Sequence, residues 1–225
     1  MNKLARCGLI VAIALTTRAA HAKPPSPVDS TIPCGILFVG RVGTIGDRIG
    51  EFEIVVRDLA QNPMPAVPLR IVFDQCMLAG DLRLASEQPD ASVSAICGPG
   101  PVELRATTEA SGAIRSRFVG GGSGNATGGF STPPTCSAGS SGGCAVIYAD
   151  GYFFSRVAVA RLDADGANGL GPPDIACWLA DSFAPGYLAR SDFDFSGVTS
   201  APDLSILLRA ILAEGSQSSA ATYCQ

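Results

Sequence analysis

Oxygen-bearing side chains alternate along residues 192–203, a spacing at which one short loop is able to surround a metal ion. With Asp192 as position 1, side-chain oxygens fall at positions 1, 3, 5, 9 and 12, and a glycine, Gly197, falls at position 6. Alternate residues of a tight loop direct their oxygens at one point, the glycine permits a sharp turn, and position 7 contributes a backbone carbonyl. The predicted ligands are Asp192, Asp194, Ser196, Val198, Ser200 and Asp203.

The donor types of this loop select the ion. All of the donors are hard oxygens, and the loop contains no nitrogen or sulfur side-chain donor, so Ca²⁺ is the predicted ion. The alternative is an Asp-rich turn whose aspartates only cap the helix that follows. The two interpretations differ in whether an ion is bound.

The same pattern occurs a second time, 29 residues earlier in the chain. Its positions 1, 3 and 12 are again aspartates, but Ala167 at position 5 and Gly171 at position 9 have no side-chain oxygen. Fewer ligands predict weaker binding, or a loop that has lost its ion. The predicted ligands are Asp163, Asp165, the carbonyl of Gly169, and Asp174.

Each loop is followed by an apolar pattern with helical spacing. Ile175, Trp178, Leu179 and Phe183 lie 29 residues before Leu204, Leu207, Leu208 and Leu212. Offsets of three, four and eight residues place each set on one face of an α-helix. Two helices with matching apolar faces are expected to pack on each other.

The pattern D-x-D-x-S-G-x-x-S-x-x-D-L-x-x-L-L of the second copy, with no helix before the loop, resembles the dockerin type I family. The resemblance covers about 50 residues and implies a dockerin-like domain over residues 161–225 that folds with Ca²⁺. In cellulosomal members it also implies a cohesin partner, recognised partly by positions 10 and 11 of each loop. Those positions lie within Leu170 to Pro173 in the first loop and are Ala201 and Pro202 in the second, and they lack the usual hydroxyl pair.

Residues 34–160 have the character of a β domain. Short β-branched runs such as 51–56 and 69–73 are separated by turn residues, and no helical period appears. The segments VRDLAQNPMPAVPLRIVF and TTEASGAIRSRFV resemble bacterial immunoglobulin-like domains of the invasin or intimin type, or carboxypeptidase-regulatory-like sandwiches. The expected fold class is therefore mainly β: an Ig-like β-sandwich followed by a small α-helical pair of calcium loop-helix units.

The N-terminus has the features of an export signal. Lys3 and Arg6 precede a short apolar run, and Ala20-His21-Ala22 offers a cleavage site, so residues 1–22 are a predicted signal peptide. The apolar run is too short to span a membrane. A Pro-rich leader over residues 23–33 would follow, and the protein is expected to be secreted, to the periplasm or beyond the cell.

Export sets the expected charge and redox state. Without residues 1–22 the chain has 13 basic and 20 acidic residues, a net charge of −7, which argues against nucleic acid as a partner. Seven cysteines remain and predict disulfides. The sequence alone does not assign their connectivity; the pairs it favours are Cys136–Cys144, Cys76–Cys97 and Cys34–Cys224, with Cys177 left unpaired.

These observations favour a non-catalytic, calcium-binding protein that acts in protein–protein interaction or surface assembly. The only histidine, His21, leaves with the signal peptide, which excludes catalysis through a Ser-His-Asp or Cys-His pair. The alternative is a carbohydrate-active hydrolase that uses two carboxylates. Its candidates are Glu51, Glu53, Asp58, Asp74, Glu103 and Glu109.

A third hypothesis is polysaccharide binding without catalysis, which requires exposed aromatic side chains in a row. The sequence does not favour it, because the aromatic residues fall on positions expected to be buried. These residues are Trp178, Phe52, Phe73, Phe118 and Phe153.

Overall fold

The computed structural model describes residues 23–40, 48–78, 82–98, 101–122, 142–166, 169–214 and 223–224. The predicted signal peptide, residues 1–22, lies outside these ranges. Within them, no helix has both the length and the apolar character needed to cross a membrane.

Ten strands and four helical segments make up the described structure. The strands are β1 (Gly35–Val39), β2 (Phe52–Val55), β3 (Pro68–Val72), β4 (Arg83–Leu84), β5 (Ser94–Ile96), β6 (Glu103–Thr107), β7 (Ala113–Ser116), β8 (Phe118–Gly121), β9 (Ala145–Ala149) and β10 (Tyr152–Arg161). The α-helices are α1 (Asp74–Leu78), α2 (Pro172–Ser182) and α3 (Ala201–Glu214), and a 3₁₀ turn covers Ala189–Ser191.

Eight of the strands form one mixed sheet in the order β4-β8-β1-β10-β9-β3-β6-β5, and β2 pairs with β7 in a second, small sheet. Strand β1 lies parallel to both of its neighbours, β8 and β10. An Ig-like sandwich consists of two antiparallel sheets, so the predicted Ig-like fold is wrong, although the chain is mainly β. Strand runs in a sequence reveal which segments are extended, but not which segments pair or in which direction.

Strand β1 is covered on both of its faces, which explains its continuous apolar sequence, GILFV. Ile36 and Phe38 belong to a large core that includes residues of both sheets. Leu37 and Val39 point the other way, into a second core that includes residues of α2 and α3. The helices thus share a core with the large sheet.

The apolar faces of α2 and α3 contribute to the second core, which they share with strands of the large sheet. Trp178 is buried, as predicted, and Leu207 is fully buried in the second core. At the far ends of the same apolar faces, Phe183 and Leu212 are each 83% exposed. The two helices were therefore predicted correctly, and they contact each other as well as sharing a core with the large sheet.

Two disulfides lie within the described residues, and neither is a predicted one. Cys76 pairs with Cys144 over a separation of 68 residues, and Cys97 pairs with Cys224 over 127. The predicted pairs Cys136–Cys144, Cys76–Cys97 and Cys34–Cys224 are wrong, because these two bridges use at least one cysteine of each pair. Proximity in sequence was a poor guide, since the sheet brings distant segments together. Cys177 is unpaired, as predicted.

Candidate metal centre

The second loop lies between the 3₁₀ turn and α3, and three of its aspartates converge. Carboxylate oxygens of Asp192, Asp194 and Asp203 all lie within 4.8 Å of one another. Asp192 and Asp203 are fully buried, and Asp194 is exposed. The aspartates at positions 1, 3 and 12 are thus close enough together to contact one ion.

Backbone amides hold the position-12 aspartate in place. One oxygen of Asp203, Oδ1, accepts hydrogen bonds from the N–H groups of Phe193, at 2.6 Å, and Asp194, at 3.2 Å. The other, Oδ2, accepts from the N–H of Ser200 at 2.7 Å. Asp203 therefore closes the loop on itself, and it does so from the first turn of α3.

The first loop repeats this arrangement residue for residue. Asp174 Oδ1 accepts from the N–H groups of Ala164, at 2.7 Å, and Asp165, at 3.4 Å, and its Oδ2 accepts from Gly171 N–H at 2.8 Å. The donors are positions 2, 3 and 9, as in the second loop. Carboxylate oxygens of Asp163, Asp165 and Asp174 also lie within 4.8 Å of one another. The 29-residue register is thus seen in the hydrogen bonds as well as in the sequence.

The position-1 aspartate of each loop accepts a hydrogen bond from a tyrosine outside the loop. Tyr187 donates its hydroxyl to Asp192 Oδ2 at 2.6 Å, and Tyr223 donates to Asp163 Oδ2 at 2.9 Å. Sequence reasoning missed both tyrosines. Tyr187 lies five residues before its partner and a local search would have found it, whereas nothing in the sequence connects Tyr223 with Asp163.

The remaining predicted ligands of the second loop lie beside the aspartates. Ser196 Oγ donates to the carbonyl oxygen of Val198 at 3.2 Å, so positions 5 and 7 are adjacent. Ser200 Oγ lies 3.4 Å from Asp203 Oδ2. Gly197 has a φ of +89°, which confirms that position 6 needs the freedom of glycine. In the first loop, Gly169 is buried at position 7, and positions 5 and 6 fall in residues 167–168, outside the described ranges.

The second loop is seated directly on the sheet. A side chain added at Gly35 would clash with the ring of Phe195, position 4 of the loop. The absence of a side chain at the start of β1 therefore lets this aromatic ring lie against the strand. The loop is positioned by the sheet as well as by its own hydrogen bonds.

Crowded, buried carboxylates make the metal-free loops electrostatically unfavourable. Burial raises the pKa of Asp163 to about 7, and the nearby charge of Asp174 adds to the shift. Burial likewise raises the pKa of Asp174 to about 6 and raises the pKa of Asp192. A bound divalent cation would offset this cost, because it favours the charged form of each carboxylate.

The pH dependence of the metal-free protein follows from these shifts. A pKa raised in the folded state gives a stability contribution that is complete below about pH 4 and is lost as pH rises through about 7. We expect the free energy of unfolding in chelator to fall by about 2 kcal/mol between pH 5 and pH 8. Urea unfolding followed by circular dichroism measures this, and saturating Ca²⁺ serves as the control that flattens the profile. Stability that rises with pH in chelator would contradict the prediction.

At least four of the six carboxylates of the hydrolase hypothesis are engaged by other groups. Glu53 pairs with Arg115 at 2.7 Å, Asp58 accepts from Ala60 N–H at 2.8 Å, and Asp74 accepts from Val102 N–H at 2.8 Å. Glu103 is buried between Arg70 and Arg105. In the part of the chain that the structure describes, the acidic groups that converge are the two aspartate loops.

Comparisons with protein-family models, with curated proteins and with solved structures each found no match, so the family resemblances rest on the sequence patterns alone.

Proposed function

We propose that this is a secreted, non-catalytic protein that binds Ca²⁺ through residues 192–203 and interacts with a protein partner through its two helices. The convergence of the Asp192, Asp194 and Asp203 carboxylates supports a metal site most directly, and the all-oxygen donor pattern of the loop favours Ca²⁺. The two disulfides suit an oxidising compartment.

The donor set fits a hard cation with a flexible oxygen shell. Asp192, Asp194, Ser196 and Asp203 would supply side-chain oxygens, and Val198 would supply its carbonyl. A bound ion would stabilise the folded state by mass action and relieve the repulsion among the carboxylates. Because Asp203 lies in the first turn of α3, calcium would therefore also stabilise the position of α3 in the core that it shares with the sheet.

The exposed ends of the apolar helix faces support a protein partner. Phe183 of the α2 segment and Leu212 of α3 are equivalent under the 29-residue repeat, and both are largely exposed. Leu179 and Leu208, another equivalent pair, are each 42% exposed. Exposed apolar side chains at matched positions of the two helices are available to contact another protein, and the dockerin resemblance suggests a cohesin-like one.

Asp194→Asn separates calcium binding from the alternative of a structural Asp-rich turn. Asp194 is exposed, and its carboxylate accepts a hydrogen bond from Ser196 N–H at 3.0 Å that an asparagine oxygen is able to replace. We expect a metal-free melting temperature within about 2 °C of the parent value. The rise in melting temperature with 5 mM Ca²⁺ should disappear or fall by more than half. Thermal melts with calcium and with chelator measure both quantities.

Two matched variants make the result specific. Asp150→Asn removes the same charge from an exposed turn and should leave the calcium response intact. Asp165→Asn makes the equivalent change in the first loop and should reduce the response less than Asp194→Asn does. A parent protein whose melting is unaffected by calcium would refute the metal site.

A further inference from the structure

A row of polar and aromatic side chains crosses one face of the large sheet. Cross-strand partners run Ser94 to Arg105, Arg105 to Arg70, Arg70 to Tyr148 and Tyr148 to Phe153, over strands β5, β6, β3, β9 and β10. Directly opposed residues of antiparallel strands project from the same face. At about 4.8 Å between strands, the row from Arg105 to Phe153 spans about 14 Å.

A buried carboxylate anchors the two arginines. Glu103 is 1% exposed; its Oε2 accepts from Arg70 Nε at 3.0 Å, and its Oε1 accepts from Arg105 Nε at 2.5 Å. One carboxylate shared by two guanidinium groups leaves a surplus positive charge. Within the described ranges, neither Nη atom of Arg105 makes a hydrogen bond, so its outer donors are available.

An open cleft of about 630 Å³ lies over this pair. Its polar lining consists of Arg70, Arg105, Ser92, Ser94 and Thr107. Ser92 Oγ donates a hydrogen bond to Asp90 Oδ1 at 2.7 Å, and the cleft lining also includes the hydroxyl-bearing residues Ser94 and Thr107. The cleft thus combines fixed cationic donors with neutral hydroxyl groups.

Aromatic rings continue the row beyond the arginines. The Arg70 guanidinium lies 5.8 Å from the centre of the Tyr148 ring, and Tyr148 meets Phe153 edge to face at 6.2 Å. Phe153 is 45% exposed and its neighbour Tyr152 is 51% exposed, although the sequence favoured a buried Phe153. An exposed ring beside cationic donors suits a ligand with both an anionic group and an apolar face.

We propose that this surface binds an acidic saccharide. A sugar carboxylate would accept hydrogen bonds from the Nη atoms of Arg105 and lie beside the guanidinium of Arg70, because guanidinium and carboxylate groups match in shape and charge. The next sugar ring would place its C–H face towards Tyr148 and Phe153. The whole chain carries a net charge of −4, so attraction to an anion requires this local arrangement and does not come from the protein's overall field. The site shares no residue with the aspartate loops.

Isothermal titration of the full chain with trigalacturonate tests the proposal, because this trimer carries a carboxylate on each sugar ring. We expect Arg105→Gln to weaken binding at least tenfold. Ser94→Glu should abolish binding, since the new carboxylate lies opposite Arg105 and competes with the ligand. Phe153→Ala should weaken binding of the trimer about threefold and leave any binding of acetate unchanged.

Arg83→Gln is the matched control, because Arg83 is an exposed arginine on β4 of the same sheet. It should bind like the parent. The proposal is overturned if the parent does not bind at 10 mM trimer, if Arg105→Gln and Ser94→Glu bind normally, or if the neutral reduced trimer binds as tightly. Equal affinity for a tri-aspartate peptide would overturn the assignment to a saccharide.

Discussion

Asp203→Ala is expected to lower the free energy of unfolding by about 3 kcal/mol even without calcium. The fully buried carboxylate accepts hydrogen bonds from three backbone N–H groups, those of Phe193, Asp194 and Ser200. Alanine would leave these amides, of which that of Phe193 is buried, without their acceptor and would remove a negative charge from the first turn of α3. The variant also removes the unfavourable free energy of burying the Asp203 carboxylate, and this gain offsets part of the loss. Urea unfolding in chelator measures the difference.

Asp194→Ala is the control for this effect. Asp194 contributes to the same cluster but is exposed, and its carboxylate accepts a backbone hydrogen bond only from Ser196. We expect it to cost less than about 1 kcal/mol in chelator. Both variants should lose the calcium response, so only Asp203→Ala combines that loss with a large metal-free effect. A cost below 1 kcal/mol for Asp203→Ala would show that the amides find other partners.

Removing the Cys97–Cys224 bridge is expected to cost about 4 kcal/mol. The bridge joins residues 127 apart, and a cross-link over such a length strongly restricts the unfolded chain. Cys224 follows Tyr223, which forms a β-bridge with Ala85 and donates to Asp163. The double variant Cys97→Ser/Cys224→Ser should therefore loosen the first aspartate loop as well as the end of the sheet.

Two further variants separate these consequences. Cys177→Ser changes an unpaired cysteine and should shift the free energy of unfolding by less than about 1 kcal/mol. Tyr223→Phe keeps the disulfide and removes only the hydroxyl that donates to Asp163. Its effect on the free energy of unfolding therefore measures how much of the double variant's loss comes from the first aspartate loop. Unchanged stability of the double variant under non-reducing conditions would contradict the prediction.

The aspartate loops were predictable because their determinants are local. Asp192, Asp194 and Asp203 lie within twelve consecutive residues, and a tight turn at Gly197 is enough to bring them together. The helices that follow were predictable for the same reason, since helical periodicity is a short-range signal. The binding of an ion remains a prediction for the melts described above.

The sheet was less predictable because its pairing is long-range. The segment GILFV indicates a strand, but its parallel pairing with segments more than 75 residues away has no local signal. The cysteine pairs depend on the same pairing. At 152–154, three aromatic residues follow one another, and alternation alone did not show that Phe154 is buried while Phe153 is exposed.

The two tyrosine contacts also imply an order of assembly. Tyr187 is five residues from Asp192, whereas Tyr223 is 60 residues from Asp163. Short chain closures are fast and cost little entropy, while distant ones wait until the intervening segments have organised. The second loop is thus expected to mature early in folding and the first loop late. On the proposed calcium binding, an ion present during folding would therefore meet a formed second loop, next to the start of α3, before it meets a formed first loop.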